Sequence, residues 1–104
     1  MGQYGPGGVA QWRPTDFELR MLLSGGADHR AQLFDADLSG RDLSRADLTG
    51  ANLKGANLRG ANLQGAQLTG ADLTGANLTN ANLDGARLMM AKLKGATMPD
   101  GTTR

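Results

Sequence analysis

From residue 31 onward a leucine returns at every fifth position: Leu33, Leu38, Leu43, Leu48, Leu53, Leu58, Leu63, Leu68, Leu73, Leu78, Leu83, Leu88 and Leu93, with Met98 in the next slot. Alanine stands two residues before each, except where Arg41 replaces it. Asp, Asn or Gln lies between them in eleven of fourteen units, and most units close on glycine. A period of five fits no regular element. On an α-helix, five steps of about 100° rotate successive leucines by about 140°, which scatters them around the axis. A glycine in every unit would also cost a helix about 1 kcal/mol each time relative to alanine. On a continuous strand an odd period throws successive leucines onto opposite faces. Three extended residues followed by a turn fit instead. Alanine and leucine then point to one side, the Asp or Asn between them points away, and the last two residues form a corner where glycine accepts positive φ. Four units with corners of about a quarter circle close one coil of twenty residues. Such coils stack about 4.8 Å apart. The expected fold class is an all-β solenoid with an alanine and leucine interior.

Units such as Ala51-Asn52-Leu53-Lys54-Gly55 and Ala71-Asp72-Leu73-Thr74-Gly75 resemble the pentapeptide repeat family, and the resemblance extends over residues 31–100. It implies a right-handed quadrilateral β-helix with four flat faces. Fourteen units at four to a coil give about 3.5 coils, a rod of roughly 17 Å at the usual sheet spacing. Each buried leucine contributes on the order of 2 kcal/mol. Asn57 above Asn77 and Asn62 above Asn82 are placed for side-chain ladders.

Before the repeat, residues 1–14 are rich in Gly, Gln and Pro and read as a flexible arm. Trp12 within it packs either on its own chain or on a partner. Thr15-Asp16-Phe17-Glu18 has the form of a capping box, Thr at the cap and Glu three residues on. The segment 15–30 is therefore a capping helix over 16–24 followed by a linker. Its apolar side is expected to include Phe17, Met21 and Leu22, with Leu19 and Leu23. A solenoid exposes leucines and unpaired strand edges at an open end, so a helix placed before the first coil acts as a lid. Phe34 is expected beneath that helix, and Arg41 is expected to reach toward either the cap or solvent. Family members often begin with a similar short helix. After the repeat, Pro99-Asp100-Gly101 makes a turn, Pro99 blocks strand addition, and residues 101–104 form a short tail. A Met-Pro-Asp-Gly-Thr ending is similar to that of small bacterial members, which implies a complete protein.

The composition argues against catalysis. There is no cysteine and one histidine, His29, without a nucleophile motif nearby. Asp37, Asp42 and Asp47 lie on successive faces and point apart, which suits neither paired acid–base chemistry nor a metal site. No cofactor is expected. The N-terminus has neither the charged nor the apolar region of a secretory signal. The longest apolar run is Met21-Leu22-Leu23, far short of a membrane span. A cytoplasmic location and no membrane partner are expected.

Departures from the repeat mark candidate contact surfaces. Lys54, Lys92 and Lys94 fall on one face, and Met89 and Met90 replace polar corner residues. The methionine pair forms a dimer or partner patch, or else the tail packs over it. The expected function is a noncatalytic structural or protein-interaction module with an unidentified protein partner, present as a monomer or weak homodimer. The alternative follows from relatives that resemble duplex DNA and bind type II topoisomerases. A DNA-like rod of this length needs about ten unopposed negative charges. The repeat carries seven carboxylates and seven cations, so that alternative is disfavoured and no nucleic-acid partner is expected.

Overall fold

The computed structural model describes residues 11–24 and 30–104. Most of the expected arm (1–10) and the linker with His29 lie outside the described residues. Every bridge within the repeat is parallel and joins residue n to n + 20, from Gln32 with Asn52 to Asn77 with Thr97. Twenty residues, or four units, therefore make one coil. Two hydrogen-bond families hold the coils together. Leu33 N–H donates to Asn52 O in the next coil at 2.8 Å, and Asn52 N–H donates back to Ala31 O at 2.8 Å. Leucines of successive coils consequently stand in columns, and all of them from Leu33 to Leu78 are buried.

Each corner is a β-turn in which the next alanine N–H bonds to the leucine carbonyl, as Ala36 does to Leu33 at 3.1 Å. The turn demands positive φ at its third residue. Gly55 takes φ +67° there, and a Cβ on it would also strike the Asp35 carboxylate. Where glycine is missing the turn persists: Asp35, Arg45, Asn80 and Met90 all have φ near +60°, from 58° to 62°. Neighbouring coils impose the conformation even on Met90, a side chain that disfavours it.

The helix α1 spans Asp16–Leu23, and its capping box is formed: Glu18 N–H bonds to the Thr15 hydroxyl and Thr15 N–H to the Glu18 carboxylate. Its docking face differs from the expectation. Leu19 is buried and Leu22 and Leu23 pack against the core, whereas Phe17 is 68% and Met21 56% exposed. Phe17 and Leu19 are two residues apart, about 200° around the axis, so one helix cannot bury both. Phe34 is also uncovered, at 45% exposure. It occupies an outward corner, while α1 lies beside residues 41–46 of the next faces.

Residues 11–14 belong to the cap and not to an arm. Pro14 is fully buried and Trp12 packs against the core, so its own chain is what Trp12 meets. Trp12 O accepts from Asp37 N–H at 2.7 Å, and Gln11 Nε2 donates to Asp35 O. Arg41 turns toward the cap, donating to Pro14 O at 2.8 Å and pairing with Asp16 at 3.0 Å. At the other end Gly101 N–H closes a turn on Met98 O at 2.8 Å. The tail then runs back antiparallel, Thr103 against Thr97, with Met98 N–H bonded to Thr102 O. Pro99 thus reverses the chain, and the tail itself supplies the added strand.

Candidate interaction surface

The residue between alanine and leucine has a structural task. In nine repeat units its carboxylate or carboxamide oxygen accepts the backbone N–H two residues on, as Asn57 does from Arg59 at 3.1 Å and Asn62 from Gln64 at 3.1 Å. Only a side chain as short as Asp or Asn reaches that N–H. Gln67 makes no such bond among the described residues, being one methylene longer. The Asn oxygens are therefore used locally. No side-chain bond joins Asn57 to Asn77 or Asn62 to Asn82 among the described residues, so the expected ladders do not form. Asn52 does donate to Gln32 across one coil step at 3.2 Å.

At Asp37, Asp42, Asp72 and Asp100 the Ser or Thr hydroxyl and N–H converge on one carboxylate oxygen. Ser44 donates its hydroxyl to Asp42 at 2.7 Å and Thr74 to Asp72 at 2.6 Å. These bonds hold Asp42, Asp47, Asp72 and Asp100 below the usual aspartate range. For Asp37 burial acts the other way, and the Ser39 bonds together with the Arg13 charge outweigh it. The aspartates are thus committed to corners. No group of three or more metal-ligating side chains occurs among the described residues.

Lys54 lines a shallow groove of about 450 Å³ with Phe34, Asp35, Asn52 and Thr74. Lys92 and Lys94 lie two coil steps further down that face and well away from Phe34, because the columns advance by twenty residues. A second cleft, of about 380 Å³, separates α1 from the face carrying Arg41, Asp42 and Ser44. Met89 and Met90 stand 72% and 82% exposed on the adjoining face. The tail does not cover them, since it pairs with 95–98.

The interior is uniform until the last coil. Leu83, Leu88 and Leu93 are only half-buried, while Met98 above the tail is buried. Sequence periodicity gave no hint of this, because all four positions obey the same rule.

Among the described residues no helix is long and apolar enough to cross a membrane. A family model of pentapeptide repeats matches residues 31–70 and 61–98. Among solved structures, Rfr23, a pentapeptide repeat protein from the cyanobacterium Cyanothece 51142, is 46% identical with a TM-score of 0.65. The match covers 69% of this chain and 49% of Rfr23. The Nostoc PCC 7120 protein alr5209 is 40% identical over 82% of this chain and 79% of its own, with a TM-score of 0.34. HetL, a pentapeptide repeat protein from Nostoc sp. PCC 7120 involved in heterocyst differentiation regulation, is 36% identical over 72% of this chain and 50% of its own, with a TM-score of 0.30. The chain thus spans about half the length of Rfr23 and HetL. No curated protein matches it. The unbroken five-residue period, the twenty-residue bridge register and these matches lead to one conclusion: the chain belongs to the pentapeptide repeat family.

Proposed function

We propose that this chain is a noncatalytic protein-interaction module, a right-handed quadrilateral β-helix of about 3.5 coils that acts in the cytoplasm without a cofactor. The observation that carries the reading is the Met89–Met90 pair, 72% and 82% exposed in a skin of polar corners. Met90 takes φ +62°, where glycine or asparagine is the natural choice. A flexible thioether pair exposed at a locally strained turn favours contact with an apolar surface of a partner. The structural duties of the aspartates favour the noncatalytic half of the reading, because carboxylates fixed in turns are unavailable for proton transfer.

Affinity capture of the whole chain from its own host, compared with a Met89→Thr/Met90→Asn variant, tests this. A partner recovered by the natural chain and lost by the variant is the expected result. Equal recovery by both would overturn the methionine patch. The topoisomerase alternative has the charge count against it, seven carboxylates balanced by seven cations between 31 and 100. A topoisomerase subunit as the captured partner would reverse that ranking.

A further inference from the structure

One edge of the stack is open among the described residues. In earlier coils the leucine N–H donates to the coil that follows, as Leu63 does to Asn82 O and Leu68 to Arg87 O, both at 2.8 Å. In the last coil the N–H groups of Leu83, Leu88, Met90 and Leu93 have no partner among the described residues. The carbonyls of Ala86 and Ala91 are likewise unpaired there. On the remaining side the tail fills this layer antiparallel, and Met98 above it is buried. The chain's own tail demonstrates that the edge takes an antiparallel strand, and that one strand buries the side chain above it.

Charge selects what fits the other sides. Arg87 and Lys92 occupy outward positions on this edge and Lys94 the next corner, and none of the three forms an ion pair among the described residues. Asp72, one coil above, is the carboxylate that feels Lys92. Residues 81–104 hold four cations (Arg87, Lys92, Lys94, Arg104) against Asp84 and Asp100. Two copies meeting at this end would bring like charge together, which disfavours a second copy. The N-terminal end of another copy is already occupied by residues 11–14 and α1.

We propose that each open side of this edge, residues 86–90 and residues 91–95, binds a short extended segment of a partner protein in which apolar residues alternate with Asp or Glu. On the side of residues 86–90 the partner's main chain accepts from Leu88 and Met90 N–H, covers Leu88 and sets a carboxylate by Arg87. On the side of residues 91–95 such a segment accepts from Leu93 N–H, covers Leu93 and meets Lys92, each side taking its own short strand because a corner turn separates them. This site rests on the interaction-module reading and specifies the surface and the partner chemistry within it.

Titration of the isotope-labelled whole chain with a capped peptide of about eight residues, alternating Val and Glu, followed by amide NMR, tests the site. A Val–Lys peptide of the same length serves as control. The Val–Glu peptide is expected to shift the Leu88, Met90 and Leu93 amides and slow their exchange by about tenfold or more, with no response to Val–Lys. Arg87→Glu/Lys92→Glu is expected to weaken binding by about tenfold or more while amides of residues 31–70 stay in place, which reports an intact fold. Silent edge amides at millimolar peptide, or equal binding of both peptides, would overturn the proposal. So would a dimer by light scattering that protects the same amides, because the occupant would then be a second copy. Silent edge amides together with a partner captured through Met89 and Met90 would sink this site alone and leave the module reading standing.

Discussion

At the N-terminal end an eight-residue helix and residues 11–15 before it close the stack, and Leu33, Leu38, Leu43 and Leu48 are all buried. At the C-terminal end a tail of a few residues pairs along a single side, and Leu83, Leu88 and Leu93 are left half-buried. Both ends are built from the same unit, so the unit does not decide how an end is finished. Non-repeating residues do. Arg41, in a slot where every other unit has alanine, reaches out of the first coil to hold Pro14 and Asp16. The last coil contains no counterpart to Arg41 among the described residues, and its cations point outward unpaired. A periodic core is indifferent to its own length, and termination has to be written into exceptions.

Removing the N-terminal cap gives the largest expected effect. Deleting residues 1–30 uncovers Leu38 and Leu43 together with an apolar edge, and size-exclusion chromatography should show oligomers. A deletion variant that remains a folded monomer would break the contrast between the ends. Deleting 102–104 should do less, because only Met98 and Ala96 lose their cover.

A matched pair of truncations sharpens the same contrast. Leu38→Ala opens a cavity in a closed interior and should cost about 3 kcal/mol. Leu88→Ala at the open end should cost about 1 kcal/mol, since that side chain is only partly buried. Equal costs by denaturant unfolding would mean that the open end is covered in solution.

Arg41→Ala restores the repeat's own alanine and yet should destabilise by about 1–2 kcal/mol, because Pro14 O loses its donor. A neutral or stabilising result would show that α1 docks by its leucines alone. Met90→Gly should stabilise by about 0.5–1 kcal/mol by relieving a positive φ, the opposite sign to most changes in a repeat interior.

Acid should act on the capped end first. Asp37, Asp42, Asp47, Asp72 and Asp100 all bind protons more weakly in the folded state than in the unfolded chain. Their contribution is complete above the unfolded aspartate range and declines as pH falls through the lower folded values. Three of the five lie in the first coil, whereas the acceptors of 52, 57 and 62 are asparagines that do not titrate. Carboxyl titration by NMR should therefore show depressed values, and residues 36–50 should lose amide protection at higher pH than residues 51–65. Uniform loss along the stack would count against this ordering.

The five-residue period was enough to specify inward alanine and leucine and corners that need positive φ, while the square section of four units to a coil came from the family resemblance. The inward residues and the corners follow from side-chain alternation and turn sterics acting within a few residues, so they are legible in any single unit. The capping box of Thr15 and Glu18 was legible for the same reason. The side of α1 that docks was not. Phe17 and Leu19 are both apolar, and only the position of the first coil selects the face with Leu19, Leu22 and Leu23. The Asp and Asn side chains were legible as outward-facing, but their bond to the N–H two residues on becomes definite only once the turn is formed. Trp12, Arg41 and the tail depend on contacts between segments far apart in sequence. For the same reason only the tertiary structure decided which end is closed: Leu38 and Leu88 obey one rule in the sequence, and what lies beyond each in space makes one core and the other edge.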